Sequence, residues 1–227
     1  MRMLIVEDEA RLRLQLARHF RELGWVVEEA ADGAEALFLG QEHPYDLAIV
    51  DLGLPAMSGL ELIGSWRASE RDFPVLVLTA RSDWQDKVEA LEVGADDYVT
   101  KPFHLEEIQA RVNALQRRAA GRSHSLADYG AVCIDFRARL VLLNGEPLDL
   151  TSFEYNTLEY LVHRAGEVIS KTELTEHLYD QHFDRDSNVI EVFIGRLRKK
   201  LDPGNTLKPI KTVRGAGYCF ALERRSK

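Results

Sequence analysis

The amino-acid sequence predicts a doubly wound α/β domain of five strand–helix units on a parallel sheet, followed by a smaller domain in a winged helix-turn-helix pattern. Three observations lead there. The first half alternates short apolar runs with amphipathic stretches. A small, polar stretch without apolar periodicity follows it. The remainder passes from short strands through three helical segments to a hairpin with a glycine-rich tip. At 227 residues the chain is long for one core and natural for two.

In chain order, residues 3–6, 25–29, 47–50, 75–78 and 98–99 read as strands. The three densest, MLIV, LAIV and VLVL, lack polar alternation, as parallel strands covered on both faces should. Between them, residues 11–23 place Leu12, Leu16, Phe20 and Leu23 at helical spacing, and residues 34–40, 60–66, 84–93 and 105–115 behave similarly. This first domain is assigned to residues 1–118, a linker to 119–126 and the second domain to 127–227. Residues 132–134 and 140–143, with Asn144-Gly145, predict an antiparallel meander, because Asn-Gly readily supplies the positive φ of a tight hairpin turn. Thr151 with Glu154, and Ser170 with Glu173, match the capping box that starts a helix. A third helix is expected from about Asp186 or Ser187 to Leu201, stopped by Pro203-Gly204. Residues 210–213, 214–217 and 218–222 form the closing hairpin.

Hydrophobic residues make up 45% of the chain and charged residues 29%, which excludes a mostly disordered protein. No apolar run approaches the roughly 18 to 20 residues that cross a bilayer, and the first residues turn acidic at Glu7 and Asp8, so neither a membrane protein nor a secreted precursor is expected. Two cysteines, Cys133 and Cys219, support no disulfide framework, and a reducing cytoplasm fits best. The net charge of −8 hides an asymmetry: residues 1–120 carry −9, residues 121–184 carry −6 and residues 185–227 carry +7. A basic last fifth on an acidic chain points to a polyanionic partner at one face.

The polar residues that interrupt the apolar runs fall at the carboxyl ends of strands: Glu7 and Asp8, Asp51, Thr79 and, just beyond the fifth strand, Lys101. That edge is where open α/β sheets bind ligands. Three carboxylates converging there repel unless a hard cation sits among them, and all-oxygen ligation suits Mg²⁺ better than zinc. Asp51 is then the nucleophile towards phosphorus, with Lys101 as a point charge and Thr79 as a hydroxyl donor.

The run Leu4-Ile-Val-Glu7-Asp8-Glu9, the segment Val50-Asp51-Leu-Gly-Leu-Pro55 with Gly59, the segment Leu78-Thr79-Ala80 and the segment Gly94-Ala-Asp-Asp-Tyr98-Val-Thr-Lys101-Pro102-Phe103 resemble the receiver domain of bacterial two-component response regulators. Gly195-Arg-Leu-Arg-Lys-Lys200 and Thr212-Val-Arg-Gly-Ala-Gly-Tyr218 resemble the DNA-binding domain of the OmpR/PhoB subfamily, its PhoP-type members in particular. The resemblance implies that Asp51 accepts a phosphoryl group from a sensor histidine kinase. It implies that Glu7, Asp8, Asp51 and the backbone carbonyl of Gly53 hold Mg²⁺, that Lys101 pairs with the phosphoryl group, and that Lys101-Pro102 is a cis peptide. Thr79 and Tyr98 become the switch, the hydroxyl turning towards the phosphoryl group as the aromatic ring moves inward. The resemblance further implies a symmetric dimer face with intermolecular pairs Lys87 with Glu107, Asp97 with Arg111 and Asp96 with Arg118. The phosphorylated homodimer then binds double-stranded promoter DNA, with RNA polymerase a further candidate partner. At most, slow self-dephosphorylation is expected of it, not an enzyme's turnover.

Projection of residues 187–202 onto a helix buries Val189, Ile190, Phe193, Ile194, Leu197 and Leu201. Ser187, Asn188, Glu191, Gly195, Arg198 and Lys199 face away, as a helix entering the major groove requires, while Arg196 falls beside the apolar stripe and is included on the resemblance alone. Thr212 and Arg214 complete the DNA set, Arg214 at the hairpin tip being placed to enter a minor groove. Two other readings stay open at this level. One is an Mg²⁺-dependent phosphatase using an aspartyl phosphate, although that chemistry wants a second Asp two positions after the nucleophile, where Gly53 stands. The other is a winged-helix regulator that acts without phosphorylation.

Overall fold

A computed structural model describes residues 1–80, 84–119, 126–178 and 189–225. The chain divides into two compact units, Met1–Ala119 and Ala120–Lys227. The first unit runs β1 (Arg2–Val6), α1 (Ala10–Glu22), β2 (Val26–Ala30), α2 (Gly33–Glu42), β3 (Leu47–Asp51), α3 (Gly59–Ala68), β4 (Val75–Thr79), α4 (Trp84–Val93), β5 (Asp97–Thr100) and α5 (Leu105–Ala119). The strands form one parallel sheet in the order β2-β1-β3-β4-β5. Every residue of β1, β3 and β4 is buried, as their unbroken apolar runs require.

Alternation along each strand divides the core. Leu4 and Val6 of β1, Ala48 and Val50 of β3, and Val75 and Val77 of β4 pack in one cluster with Ala36 of α2, Leu62, Ile63 and Trp66 of α3, and Ala90 of α4. Their neighbours Met3, Ile5, Leu47, Ile49, Leu76 and Leu78 are buried on the other face. Right-handed crossovers place α1 and α5 on that second face. The order reverses between β1 and β3, so the loops leaving these two central strands diverge and open a crevice at their carboxyl ends. At the opposite end of the sheet, buried Arg2 pairs with Glu28, which also accepts from the Tyr45 hydroxyl.

The second unit comprises β6 (Leu126–Asp128), β7 (Val132–Asp135), β8 (Leu140–Leu143), β9 (Glu146–Pro147), α6 (Ser152–His163), α7 (Lys171–Leu178), α8 (Val189–Leu201), β10 (Ile210–Val213) and β11 (Gly217–Phe220). Strands β6 to β9 form an antiparallel meander, and β10 with β11 a separate hairpin. The expected Asn144-Gly145 turn links β8 and β9 with φ of 53° and 87°. Sequence reasoning omitted β6 and β9, which are three and two residues long and offer too little periodicity to read. The Thr151 capping box is present: Thr151 Oγ1 accepts from Glu154 N at 3.3 Å and Glu154 Oε2 from Thr151 N at 2.9 Å. At α7, Ser170 Oγ accepts from Glu173 N at 3.0 Å, while the Glu173 carboxylate is turned to the Tyr160 hydroxyl at 2.8 Å. Residues 120–125 of the expected linker and the expected start of the third helix before Val189 lie outside the described residues. Ala119 closes α5 and Leu126 opens β6.

A hydrogen in place of a methyl decides one packing contact in the first unit. An ideal Cβ on Gly40, in the last turn of α2, would lie 2.2 Å from Nε1 of the fully buried Trp66. Alanine gains about 1 kcal/mol of helix propensity over glycine, but overpacking against a fixed indole costs about 1–3 kcal/mol. The clash wins because Trp66 has no solvent side to which it can move. Gly40→Ala is expected to lower the stability of the first unit, seen as an earlier transition in tryptophan-monitored thermal unfolding. An unchanged or later transition would show that α2 shifts freely.

Candidate functional site

The crevice is built by the ends of β1, β3, β4 and β5. Glu7 and Asp8 follow β1, Asp51 ends β3, Thr79 ends β4, and Lys101 follows β5. Glu7, 1% exposed, and Asp51 are buried, whereas Asp8 is exposed. One carboxylate oxygen from each of these three residues can be chosen so that all lie within 4.8 Å of one another. The Lys101 ammonium closes the cluster, donating to Glu7 Oε1 at 3.0 Å, Glu7 Oε2 at 2.8 Å and Asp51 Oδ2 at 2.7 Å. The backbone fixes its entry: Lys101 N donates to Thr79 O at 2.8 Å, and Lys101-Pro102 is a cis peptide.

Asp51 is held from its other side. Gly53 N donates to Asp51 Oδ1 at 3.2 Å, and Gly59 N donates to Leu52 O at 3.2 Å. Any Cβ at Gly59 would stand 2.3 Å from the Asp51 carbonyl oxygen, so only glycine lets α3 begin this close to the site. At Gly53 an ideal Cβ would lie 3.9 Å from both Asp51 carboxylate oxygens and meet no other atom within 4 Å. The approach to Asp51 past that position is open.

Burial dominates the electrostatics. Loss of water pushes the Glu7 carboxyl up to about 7; the adjacent Asp51 charge pushes the same way, and the bonds from Lys101 do not cancel them. Burial alone would lower Lys101, but its bonds to Asp51 and Glu7 outweigh it and hold the ammonium above its ordinary value. Three carboxylates offering oxygen alone form the donor set a hard divalent cation takes. The crevice therefore joins a cation-accepting acidic pocket to one carboxylate with an open approach and a fixed ammonium beside it.

The residues expected at a dimer face lie on or beside α4, β5 and α5, and within one chain Asp97 and Arg111 are already partners. Arg111 Nη1 lies 3.1 Å from both Asp97 oxygens, and its Nη2 lies 2.9 Å from Glu107 Oε1, all within one chain. Asp96 Oδ2 accepts from Val75 N at 2.8 Å and Arg67 Nη2 at 3.1 Å. Its carboxylate thus serves the first amide of β4, and Arg118 reaches Asp97 at 4.0 Å. Lys87 Nζ stands 5.0 Å from the centre of the half-buried Tyr98 ring. Val88 and Leu91 on α4 are exposed beside them.

In the second unit α8 is gripped on both flanks. Phe193 stacks on Phe153 at 5.8 Å, and Lys200 Nζ donates to Glu154 Oε2 at 2.8 Å. On the other flank Glu191 pairs with Lys171 at 2.8 Å, while Arg198 donates to Ile210 O at 3.0 Å and Thr212 Oγ1 at 2.7 Å. Arg198, which the projection turned outward, thus binds Thr212 and joins α8 to the hairpin. Arg196, expected beside the apolar stripe, is exposed, because the buried stripe is the narrower set Ile190, Ile194, Leu197 and Leu201. Val192, which the projection left out, is 47% exposed and shares the outward face with Arg196 and Lys199. Arg214 is exposed at the hairpin tip, next to Gly215 at φ 74°. Asn188 lies outside the described residues.

Comparison with known proteins adds the following. Residues 3–113 match the family model of the response regulator receiver domain, and residues 145–220 that of the transcriptional regulatory protein, C terminal. The chain is 50% identical over 220 residues to the two-component response regulator PhoP of Pseudomonas aeruginosa, covering 97% of this chain and 98% of that protein. It is 47% identical over 222 residues to the transcriptional regulatory protein PhoP of Escherichia coli strain K12, covering 98% and 100%. Among solved structures, the receiver domain of the Francisella response regulator 1452 is similar at a TM-score of 0.50 and 35% identity, over 52% of this chain and 98% of that one.

The raised Glu7 carboxyl sets the sign of a pH effect. A folded-state value of about 7 against an ordinary 4.5 favours folding while Glu7 is protonated, and that contribution is lost as pH rises through about 7. With divalent cations chelated, the first unit is expected to lose more stability between the ordinary and the raised value than a Glu7→Gln variant does. Parallel pH–stability curves for the two proteins would show that burial does not perturb this carboxyl.

Proposed function

The chain belongs to the response regulators, with a receiver domain and a C-terminal transcriptional regulatory domain of the OmpR/PhoB type, and we propose that phosphorylation of Asp51 by a sensor histidine kinase controls its binding to double-stranded promoter DNA. The observation that carries this reading is the contact of the Lys101 ammonium with Asp51 Oδ2 at 2.7 Å inside a three-carboxylate pocket. Asp51 forms the new P–O bond as the P–N bond of the kinase phosphohistidine breaks, the electron pair leaving with the imidazole. Lys101 lies where it neutralises a phosphoryl oxygen, and Thr79, one strand away from Asp51, has a hydroxyl for a second. Glu7, Asp8, Asp51 and the Gly53 carbonyl are the groups that would hold Mg²⁺, which supplies charge neutralisation at the phosphoryl oxygens. The open approach at Gly53 lets water reach the aspartyl phosphate, so the product decays slowly without the chain being a turnover enzyme.

Capture of the Thr79 hydroxyl by the phosphoryl group draws Tyr98 inward, away from Lys87, and biases a pre-existing equilibrium. Lys87, Asp97, Glu107, Arg111 and Arg118 then exchange partners within one chain for partners in a second copy, and Val88 and Leu91 provide apolar area. A two-fold face uses each such pair twice. At the DNA, Val192, Arg196 and Lys199 face the major groove and Arg214 the adjoining minor groove, while Arg198 and Thr212 set the angle between helix and hairpin. Glu191, tied to Lys171, orders the start of α8. Dimer binding places two such heads on half-sites about one helical turn apart, where RNA polymerase is the next partner.

Treatment with acetyl phosphate and magnesium is expected to add one phosphoryl group at Asp51 by mass spectrometry and to shift the protein to a dimer by light scattering. Asp51→Ala should do neither. Modification elsewhere, or sustained phosphate release at constant rate, would replace the switch by another chemistry. Arg111→Ala is expected to keep the phosphoryl group and lose the dimer; a phosphorylated Arg111→Ala dimer would move the assembly to another face.

A further inference from the structure

Between the last turn of α8 and strand β10 lies a surface hollow of about 710 Å³. Arg198, Lys199, Lys208 and Lys211 bring four cationic side chains to its lining, against one carboxylate, Asp202. That carboxylate is spent on the backbone: Oδ1 accepts from Thr206 N at 2.8 Å, and Oδ2 accepts from Leu207 N at 2.9 Å and Lys208 N at 2.8 Å. The three bonds hold the Asp202 carboxyl below its ordinary value against the opposing effect of burial. They also fold the segment after α8 so that Lys208, at φ 50°, is carried to the rim.

The cations are arranged for an external anion. Lys199, Lys208 and Lys211 are exposed and make no ion pair among the described residues. Arg198 is fixed by Ile210 O and Thr212 Oγ1, which satisfy two of its N–H groups and leave its charge at the wall. Like charges gathered on one lining, with its one carboxylate already engaged by the backbone, raise the positive potential of the hollow and favour an incoming phosphate. The hollow also adjoins Lys199, whose helix face points away from the core.

We propose that this hollow is a seat for a backbone phosphodiester of the DNA duplex, flanking the groove that α8 enters, with Lys208 and Lys211 as contacts additional to those of the helix and the hairpin tip. The proposal rests on the DNA-binding reading above and extends it to a contact that reads no bases. Each lysine that neutralises a phosphate adds about 0.9 to the slope of log affinity against log salt. Loss of both should then leave binding about tenfold less sensitive to a rise from about 50 to 200 mM salt.

The test uses the full chain, activated with acetyl phosphate, and two labelled duplexes: one recovered from random sequence by selection with the wild-type protein, the other its scrambled counterpart. Lys208→Gln with Lys211→Gln is expected to lower the salt slope by about 2, to weaken both duplexes by the same factor, and to leave the thermal transition unchanged. The corresponding Lys→Arg pair should restore the slope. A wild-type slope in the Gln variant overturns the proposal. Micromolar binding of adenosine triphosphate that the Gln pair abolishes, with DNA affinity unmoved, also overturns it and assigns the hollow to a free polyphosphate. If the wild-type protein binds neither duplex, the DNA-binding reading itself fails and the seat falls with it.

Discussion

One lysine ammonium among three carboxylates is the constraint around which the first unit is organised. Glu7, just past the end of β1, and Asp51, at the end of the neighbouring β3, are buried, with Asp8 beside them. Such a grouping is unstable without a counter-charge, and Lys101 supplies one by bonding to both buried carboxylates. Lys101 comes from beyond β5, so the cluster exists only where β1, β3, β4 and β5 lie side by side. The site is therefore a consequence of topology. Divergent loops at the reversal of strand order create the crevice, and parallel strands bring their carboxyl ends to one edge.

Much of this was legible from residues alone. Dense apolar runs such as Leu47 to Val50 announce a covered strand, and the polar residue that ends each run announces the edge. The expected positions of Glu7, Asp8, Asp51, Thr79 and Lys101 at strand ends coincide with their places in the fold. Less was legible where geometry depends on partners distant in sequence. Asp96 was expected only as the partner of Arg118 in a second copy, yet it accepts from the first amide of β4 and from Arg67, contacts with no local signature. Ser58 and Glu61 form a capping box, and that spacing was readable although it was passed over. The projection of α8 erred at Arg196 and Arg198 because a helical wheel cannot tell a flank that meets the hairpin from a face that meets solvent.

The second unit applies a different economy. Its helix α8 is held by contacts to its neighbours. Stacking on α6 and the Lys200–Glu154 pair fix one flank, and Arg198 fixes the other to the hairpin. What remains outward is short and varied: an apolar Val192, a bare Gly195 with nothing near its absent Cβ, and basic Arg196 and Lys199. A face so sparsely furnished gains its orientation from the flanks and its chemistry from few side chains. Orientation and outward chemistry are thus assigned to different residues of one helix.

The β10–β11 hairpin is clamped close to its tip. Ile169 and Tyr218 exchange backbone bonds at 2.8 and 2.9 Å, and Gly217 approaches so closely that any Cβ would lie 1.9 Å from Ile169 O. Arg214 therefore rides on a short lever whose pivot cannot slide. Its reach is quantised by chain length: two more residues in each arm would keep the tip on the same face of the ladder and carry the guanidinium outward by about 6.6 Å. Loop-length variation at this turn would retune the reach of the arm without touching the Arg198–Thr212 bond that ties the hairpin to α8.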